Sequence, residues 1–293
     1  MSHVRYMNDG TRNAPALRVY LNLGTLTDLP DWSTAPRGST GQVLEAIKAA
    51  GFDGVQGGSP AEARAAGLGH AGGGRVNRPA DADTLARSLR DQGTEAGTLH
   101  VAWGLEDDAE VDALVAAVVE ASAKHVVPLF IETHRATITQ DIWRTVQIAR
   151  RHPGVRFNAD FSHWYTGLEM VYGGVDTKLA AMGPVFDRVG FMHGRIGNPG
   201  CMQVTVEPNP DGTWPPFVEH FRTMWSAAMR GFLTSAGPGD YLVFAPELLH
   251  PSIYYARTFP TGPAGEPREE CDRWQQALLY AELARDCFAA AQR

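Results

Sequence analysis

Short apolar runs alternate along the sequence with longer stretches in which apolar positions recur at helical spacing. Seven of these runs predict β-strands, at residues 17–23, 52–56, 98–103, 127–132, 155–160, 189–193 and 241–247. Helical stretches separate the strands. We therefore expect the strands to lie parallel, because each helical crossover returns the chain to the same edge of the sheet. The pattern predicts an α/β fold.

The stretches between the runs carry helix signals at their ends. The predicted helices cover residues 40–50, 81–92, 106–124, 139–151, 168–181, 216–230 and 267–290. Gly51 is a natural C-terminal stop for the first of them. The third opens with Glu106, Asp107 and Asp108, which suit the positive end of the helix dipole.

Polar residues follow the apolar runs at the predicted strand ends, and a (β/α)₈ barrel, the TIM barrel, collects all those ends on one face. No GxGxxG follows a strand, so a doubly wound dinucleotide-binding sheet lacks its fingerprint. We predict a single TIM-barrel domain over residues 1–293. A closed barrel needs an eighth strand, and the best segment for it is the short stretch 253–256.

Two segments are irregular in the sequence pattern. Residues 67–79 are rich in glycine, and residues 198–216 are rich in proline. Both are expected on the catalytic face of a barrel, as lids or as ordinary surface loops, and 198–216 is predicted to be a loop insertion over the active-site face. Residues 1–16 are predicted to be an N-terminal extension without the apolar stretch of a signal peptide.

Composition excludes several classes of protein. An apolar share of 44% and a charged share of 20% in 293 residues provide a large core and exclude a disordered chain. The net charge of −7, with no basic run, argues against a nucleic-acid partner. No stretch approaches a membrane span. The three cysteines form no close pair, which favours the cytoplasm over an oxidising compartment. The oligomeric state stays open, a homo-oligomer included.

Four predicted strands, taken in order along the chain, end in a residue that can bind a metal. These residues are Glu132, Asp160, His193 and Glu247. If the strands close into a barrel, the four side chains converge on one centre. Three carboxylates and one imidazole form a hard oxygen and nitrogen site, which suits Mn²⁺, Mg²⁺, Co²⁺, Fe²⁺ or Zn²⁺. We expect one divalent metal ion, with Mn²⁺ favoured.

Two short motifs surround these positions. Asp160 begins a DxxH motif that ends at His163, and His193 begins an HxR motif that ends at Arg195. With these motifs the chain resembles the xylose isomerase-like TIM-barrel superfamily, the sugar phosphate isomerase/epimerase group that includes tagatose 3-epimerases and inosose dehydratases. In that group a Glu, Asp, His and Glu on consecutive strands bind one divalent metal, and they fall on the four residues above. The resemblance covers most of the chain, from the first strand to the last helix.

The resemblance implies an isomerase or epimerase that acts on a sugar or sugar-like keto-polyol. A metal bound to neighbouring hydroxyl and carbonyl oxygens acidifies the C–H between them and stabilises an enediolate. In the epimerases the two metal-bound glutamates share the proton transfers, and here they would be Glu132 and Glu247. His163 and Arg195 would anchor substrate oxygens. The alternative is a lyase or dehydratase on the same scaffold, which eliminates water or a glycosyl group from a keto-sugar.

Four further side chains are candidates for contact with the carbohydrate substrate, each with packing as an equal alternative: His100, Trp103, His134 and Gln203. No phosphate cradle is evident, which favours a non-phosphorylated substrate. An abasic-site endonuclease on a related barrel is disfavoured because it needs further histidine ligands and a basic surface. A non-catalytic binding protein is disfavoured because all four metal ligands are present.

Overall fold

The computed structural model describes residues 3–261 and 263–293. Eight parallel strands form a closed barrel, since each strand pairs with the next along the chain and the last pairs with the first. This confirms the predicted TIM barrel. The strands are β1 (Ala16–Asn22), β2 (Gly54–Gln56), β3 (Gly69–Val76), β4 (Ala96–Val101), β5 (Leu129–Glu132), β6 (Phe157–Ala159), β7 (Val189–Gly194) and β8 (Asp240–Pro246).

Helices follow the strands and surround the barrel. They are α1 (Thr40–Ala49), α2 (Pro60–Ala65), α3 (Pro79–Asp91), α4 (Asp108–His125), α5 (Ile142–Arg151), α6 (Ser162–Gly167), α7 (Val175–Ala181), α8 (Gly183–Phe186), α9 (Pro216–Ser235) and α10 (Arg273–Ala291). Side-chain caps fix several of their starts. Ser39 and Asp107 each form a capping box with the residue three positions later. The acidic stretch predicted at the start of α4 thus supplies that helix with its cap.

The missing strand is the glycine-rich segment, not residues 253–256. β3 lies between β2 and β4 with continuous parallel pairing, whereas Pro251–Ile253 is a single 3₁₀ turn. The glycines are required by close packing: a Cβ at Gly72 would lie 2.7 Å from Leu89, and one at Gly74 would lie 2.7 Å from Leu85. The prediction of a loop at 67–79 was wrong, because low strand propensity does not outweigh pairing on both edges.

Because β3 was not predicted, each later strand is one position further along the barrel than the sequence predicts. The four predicted metal ligands lie at β5, β6, β7 and β8, so they occupy the last four strands of the barrel. The last helix begins at Arg273 rather than at residue 267, because Thr258–Thr261 and Glu266–Glu269 form an antiparallel hairpin. Of the helix predicted at 168–181, only Val175–Ala181 (α7) is helical, because α6 ends at Gly167 and turns follow it.

The N-terminal extension and the 198–216 segment both pack on the barrel. Val4 and Met7 are buried, and Met7–Asn8 pairs antiparallel with β8. The segment between β7 and α9 is irregular, as its composition predicts, and buries Val204 and Val206. Among the described residues, no helix has both the length and the apolar character that crossing a membrane requires.

Candidate metal centre and active site

The four predicted metal ligands converge at the C-terminal end of the barrel. Glu132 is the last residue of β5, Asp160 follows β6, His193 lies in β7 and Glu247 follows β8. Each offers one ligand atom, and these atoms all lie within 4.8 Å of one another. Glu132, Asp160 and His193 are buried, while the Glu247 side chain keeps 12% exposure. The cluster therefore opens to solvent on the Glu247 side.

Each carboxylate has one oxygen next to a donor outside the cluster. Ser162 donates to Asp160 Oδ1 through its backbone N–H at 3.0 Å and its hydroxyl at 2.5 Å. Asn22 Nδ2 donates to Glu247 Oε1 at 2.8 Å, and His100 Nε2 lies 3.3 Å from Glu132 Oε1. These outer contacts orient the three carboxylates.

The second oxygen of each of the three carboxylates faces the centre of the cluster. Glu132 Oε2 and Glu247 Oε2 each lie 3.4 Å from His193 Nδ1. The inner donor set is therefore one oxygen from each of three carboxylates and one imidazole nitrogen, with donors already on the outer oxygens. This arrangement fits a hard divalent cation and its oriented ligands.

The two glutamates differ electrostatically. Burial raises the pKa of Glu132, but the nearby His193 and the contact with His100 outweigh burial and hold that pKa well below its usual value. Burial raises the pKa of Glu247 above its usual value, although His193 and Arg195 oppose the effect. The carboxylates of one cluster thus have pKa values displaced in opposite directions.

The side-chain amide of Gln56, which also accepts from Asn22, orients His193. Gln56 Nε2 donates to Thr98 Oγ1 at 2.8 Å, which turns Gln56 Oε1 toward the ring of His193. His193 Nε2 then donates to that oxygen at 2.9 Å, leaving Nδ1 for the cluster. Asn22 Nδ2 also donates to Gln56 Oε1, at 3.2 Å. Gln56 therefore selects which nitrogen of His193 can bind a cation.

Gln56→Met is expected to weaken metal binding by about 10- to 100-fold, the usual effect of losing a partner that orients a ligand histidine. Gln56→Glu keeps an acceptor at the same place and should retain more of the affinity than Gln56→Met. Titration calorimetry with Mn²⁺ on both variants measures the difference. Equal and wild-type affinities for the two would show that Gln56 does not orient His193.

Arg195 lies inside the cluster rather than at the mouth of the barrel. Its Nη2 donates to Asp160 Oδ2 at 2.5 Å and to Glu247 Oε2 at 2.6 Å, and its Nε donates to Ser162 Oγ at 3.1 Å. Although burial opposes its charge, the two carboxylates raise the pKa of Arg195, so it stays a cation. In this conformation, Arg195 binds the ligand carboxylates; the predicted contact with substrate would need part of the guanidinium to face the mouth.

His163 lies on α6 and is completely buried beside the cluster. Its Nε2 lies 3.5 Å from Asp160 Oδ2 and 3.9 Å from Glu132 Oε1. Neither ring nitrogen has a hydrogen-bond partner among the described residues. Burial holds the pKa of His163 well below its usual value, so the ring is neutral at pH 7. His163 thus lies beside the predicted ligands, and its role toward a substrate stays a prediction.

His100 and His134 continue from His163 as a row of imidazoles. The ring centroids of His163 and His134 are 3.8 Å apart, and those of His134 and His100 are 4.4 Å apart. His134 Nδ1 accepts from the backbone N–H of Ala136, and His100 Nδ1 faces Arg75 Nη2 at 3.4 Å. Both rings therefore carry hydrogen on Nε2 when neutral and can donate from that atom, although with Glu132 they also form a group close enough to hold a cation.

His163→Ala is expected to keep its metal and lose about 10²–10³-fold in turnover, by comparison with the loss of one donor from an oxyanion hole. The effect is expected because a neutral ring beside the cluster can donate to a substrate oxygen. Metal content, melting temperature and kcat are measured on one preparation. A variant that melts early but turns over normally would assign His163 to packing alone.

The remaining predicted contacts lie farther from the cluster. Trp103 is 56% exposed at the rim, with the Arg75 guanidinium stacked 3.9 Å from its ring. Gln203 is buried, and both ends of its amide pair with the backbone of Leu249. This pairing occupies the polar atoms that the prediction assigned to substrate. Gln203 instead ties the 198–216 segment to the loop that follows Glu247.

The residues of the site that were not predicted include Gln56, Asn158 and Tyr255. Gln56 ends a predicted strand. Asn158 precedes Asp160 by two positions, so Asn158 and Asp160 share one face of the predicted strand 155–160. Asn158 Nδ2 donates to Glu132 Oε2 at 3.1 Å. The signals that identified the four ligands thus applied to these two residues as well. Tyr255 carried no such signal, because it lies inside the segment 253–256 and not at the end of a predicted strand.

Comparisons with solved structures agree with this architecture. A xylose isomerase-like TIM barrel protein from Mycobacterium smegmatis in complex with magnesium is 14% identical, with a TM-score of 0.55 over 94% of this chain and 97% of that one. The IolI protein with a bound zinc atom is 12% identical, with a TM-score of 0.53 over 94% and 99%. The probable 3-DHS dehydratase AsbF from Bacillus anthracis is 12% identical, with a TM-score of 0.52 over 80% and 94%.

No protein-family model matches the sequence, and no curated protein matches it either. The structural likeness shows the fold: the chain is a TIM barrel, as the sequence predicts, and its fold is similar to that of xylose isomerase-like TIM barrel proteins. Within this fold the protein carries a buried acidic and histidine cluster suited to a metal.

Proposed function

We propose that the protein is a divalent-metal-dependent isomerase or epimerase. Its substrate would be a sugar or sugar-like keto-polyol, and the reaction would begin with removal of a proton beside the carbonyl. The observation that carries the proposal is the donor set: one carboxylate oxygen from each of Glu132, Asp160 and Glu247 together with one imidazole nitrogen of His193, all within 4.8 Å of one another. The donors on the outer oxygens support it, because partners that orient the ligands are typical of metal sites.

When bound, a divalent cation would act as a Lewis acid that acidifies the C–H beside the substrate carbonyl and stabilises the enediolate. Glu132 and Glu247 are the outer members of the cluster along the barrel, on β5 and after β8. Their positions at the two ends of the ligand series support a reaction in which one glutamate takes the proton and the other returns it. Asp160 and His193 lie between them and complete the ligand set.

The row of imidazoles would orient the substrate. His134 presents Nε2–H, because its Nδ1 already accepts from a backbone N–H, and burial lowers its pKa to about 4. A neutral donor can stabilise an oxyanion without itself giving up a proton. The row lies on the Glu132 side of the cluster, since His100 contacts that carboxylate.

Incubation of the Mn²⁺-loaded protein with a panel of ketoses in D₂O tests the proposal. We expect deuterium at the carbon beside the carbonyl and the appearance of an isomer, both detected by NMR. The Asp160→Ala variant, which lacks a metal ligand, is the control and should show neither. Turnover that survives complete removal of metal would contradict the proposal.

The same experiment distinguishes the lyase alternative. An enediolate that expels a β-substituent gives a product lighter by water or by the leaving group, which mass spectrometry detects. Glycosides of keto-sugars belong in the panel for this reason. A small carbohydrate as partner and a cytoplasmic location are part of the proposal.

A further inference from the structure

The Arg195 guanidinium and a bound metal would need the same two oxygens. Arg195 Nη2 lies 2.5 Å from Asp160 Oδ2 and 2.6 Å from Glu247 Oε2. Ser162 and Asn22 hold the other oxygen of each carboxylate. The inward oxygens are therefore the ones left for a cation, and the guanidinium already contacts both.

We propose that Arg195 competes with the divalent cation for Asp160 Oδ2 and Glu247 Oε2, and that this competition sets the metal affinity of the site. The inference rests on the proposed function, because it needs a metal at this cluster. A metal about 2.0–2.2 Å from the same oxygens would stand close to the guanidinium, and two cations in a buried site repel strongly. Arg195 therefore leaves the two oxygens when the metal arrives.

Arg195 has a further contact besides its hydrogen bonds to the carboxylates and Ser162. Its guanidinium lies 4.4 Å from the centroid of the Tyr255 ring, a cation–π contact that does not depend on the carboxylates. Its Nη1 is buried without a hydrogen-bond partner in the part of the chain that the structure describes. A side-chain rotation that keeps the Tyr255 contact would free the two oxygens for a cation.

A purely supporting role for Arg195 has the opposite consequence. If the guanidinium held Asp160 and Glu247 in place for the metal, its loss would weaken binding by about 10- to 100-fold, as with other partners that orient metal ligands. Competition predicts that its loss strengthens binding. The sign of the change in affinity distinguishes the two roles.

Titration calorimetry with Mn²⁺ on the full-length wild type, Arg195→Met and Arg135→Met measures that sign. Arg135 is the matched control, because its guanidinium stands over the same Tyr255 ring, 5.9 Å from the centroid, but is exposed and outside the cluster. We expect Arg195→Met to bind at least about tenfold more tightly than wild type. Arg135→Met should stay within about threefold of wild type, since an exposed charge is screened.

Weaker or unchanged binding by Arg195→Met would overturn the inference. So would an Arg135→Met variant that tightens binding equally, because general charge would then explain the effect. If neither the wild type nor Arg195→Met binds Mn²⁺, the proposed function itself fails. Tight wild-type binding without the gain in Arg195→Met rejects only the competition.

A crystal structure of the Mn²⁺-loaded wild type provides a test that does not depend on a variant folding. We expect Arg195 Nη2 to lie beyond hydrogen-bond distance, about 3.5 Å, from at least one of the two inward oxygens. Persistence of both contacts beside a bound metal would overturn the competition directly.

Discussion

Asp160→Ala protein is expected to lose stoichiometric metal binding, with affinity reduced by more than about 100-fold. The estimate follows because substitutions of mere partners of metal ligands already cost about 10- to 100-fold, and Asp160 offers an oxygen to the centre itself. The variant should remain folded. Arg195 keeps Glu247 as a partner, so the loss of stability should stay below the roughly 3–5 kcal/mol typical of breaking a buried ion pair.

Ser162→Ala is the matched control for this experiment. It removes the hydroxyl that donates to Asp160 Oδ1 and leaves the carboxylate and the backbone N–H donor in place. Metal content after dialysis and thermal melting are measured for both variants. A folded Asp160→Ala protein that retains one metal per chain would refute the ligand assignment, whereas Ser162→Ala should retain its metal with reduced affinity.

The barrel was predictable from the sequence because most of its strands are ordinary apolar runs. β3 was missed for a specific physical reason: the interior of the strand is glycine-rich, and glycine has low strand propensity. Tertiary contacts stabilise β3 as a strand: it pairs with β2 and β4, and Leu85 and Leu89 of α3 approach it closely. A pattern of apolar positions does not indicate how closely a helix will pack against a strand.

The convergence of the four predicted ligands was predictable because each one lies at or next to the C-terminal end of a strand. The environment of those ligands was not. That Arg195 would turn inward to Asp160 and Glu247, rather than toward a substrate, depends on side-chain directions that spacing does not specify. The same holds for Gln203, whose hydrogen bonds to Leu249 span 46 positions of sequence.

Glu247→Gln is expected to lower turnover by about 10²–10⁴-fold, the usual contribution of a general acid or base. The amide can still offer one oxygen but cannot take up a proton at neutral pH. It also satisfies only one of the two donors that now contact Glu247, Asn22 Nδ2 and Arg195 Nη2, so part of the metal affinity should be lost as well.

Asn22→Ala separates the chemical effect from this loss of hydrogen bonding. It removes the donor to Glu247 Oε1 and keeps the carboxylate, so at saturating Mn²⁺ it should retain far more turnover than Glu247→Gln. Solvent deuterium should enter the substrate carbon with wild type and Asn22→Ala but not with Glu247→Gln. Equal turnover of the two variants at saturating metal would show that Glu247 serves only as a ligand. Wild-type turnover without any solvent exchange would instead indicate hydride transfer between carbons, a route in which neither glutamate needs to carry the proton.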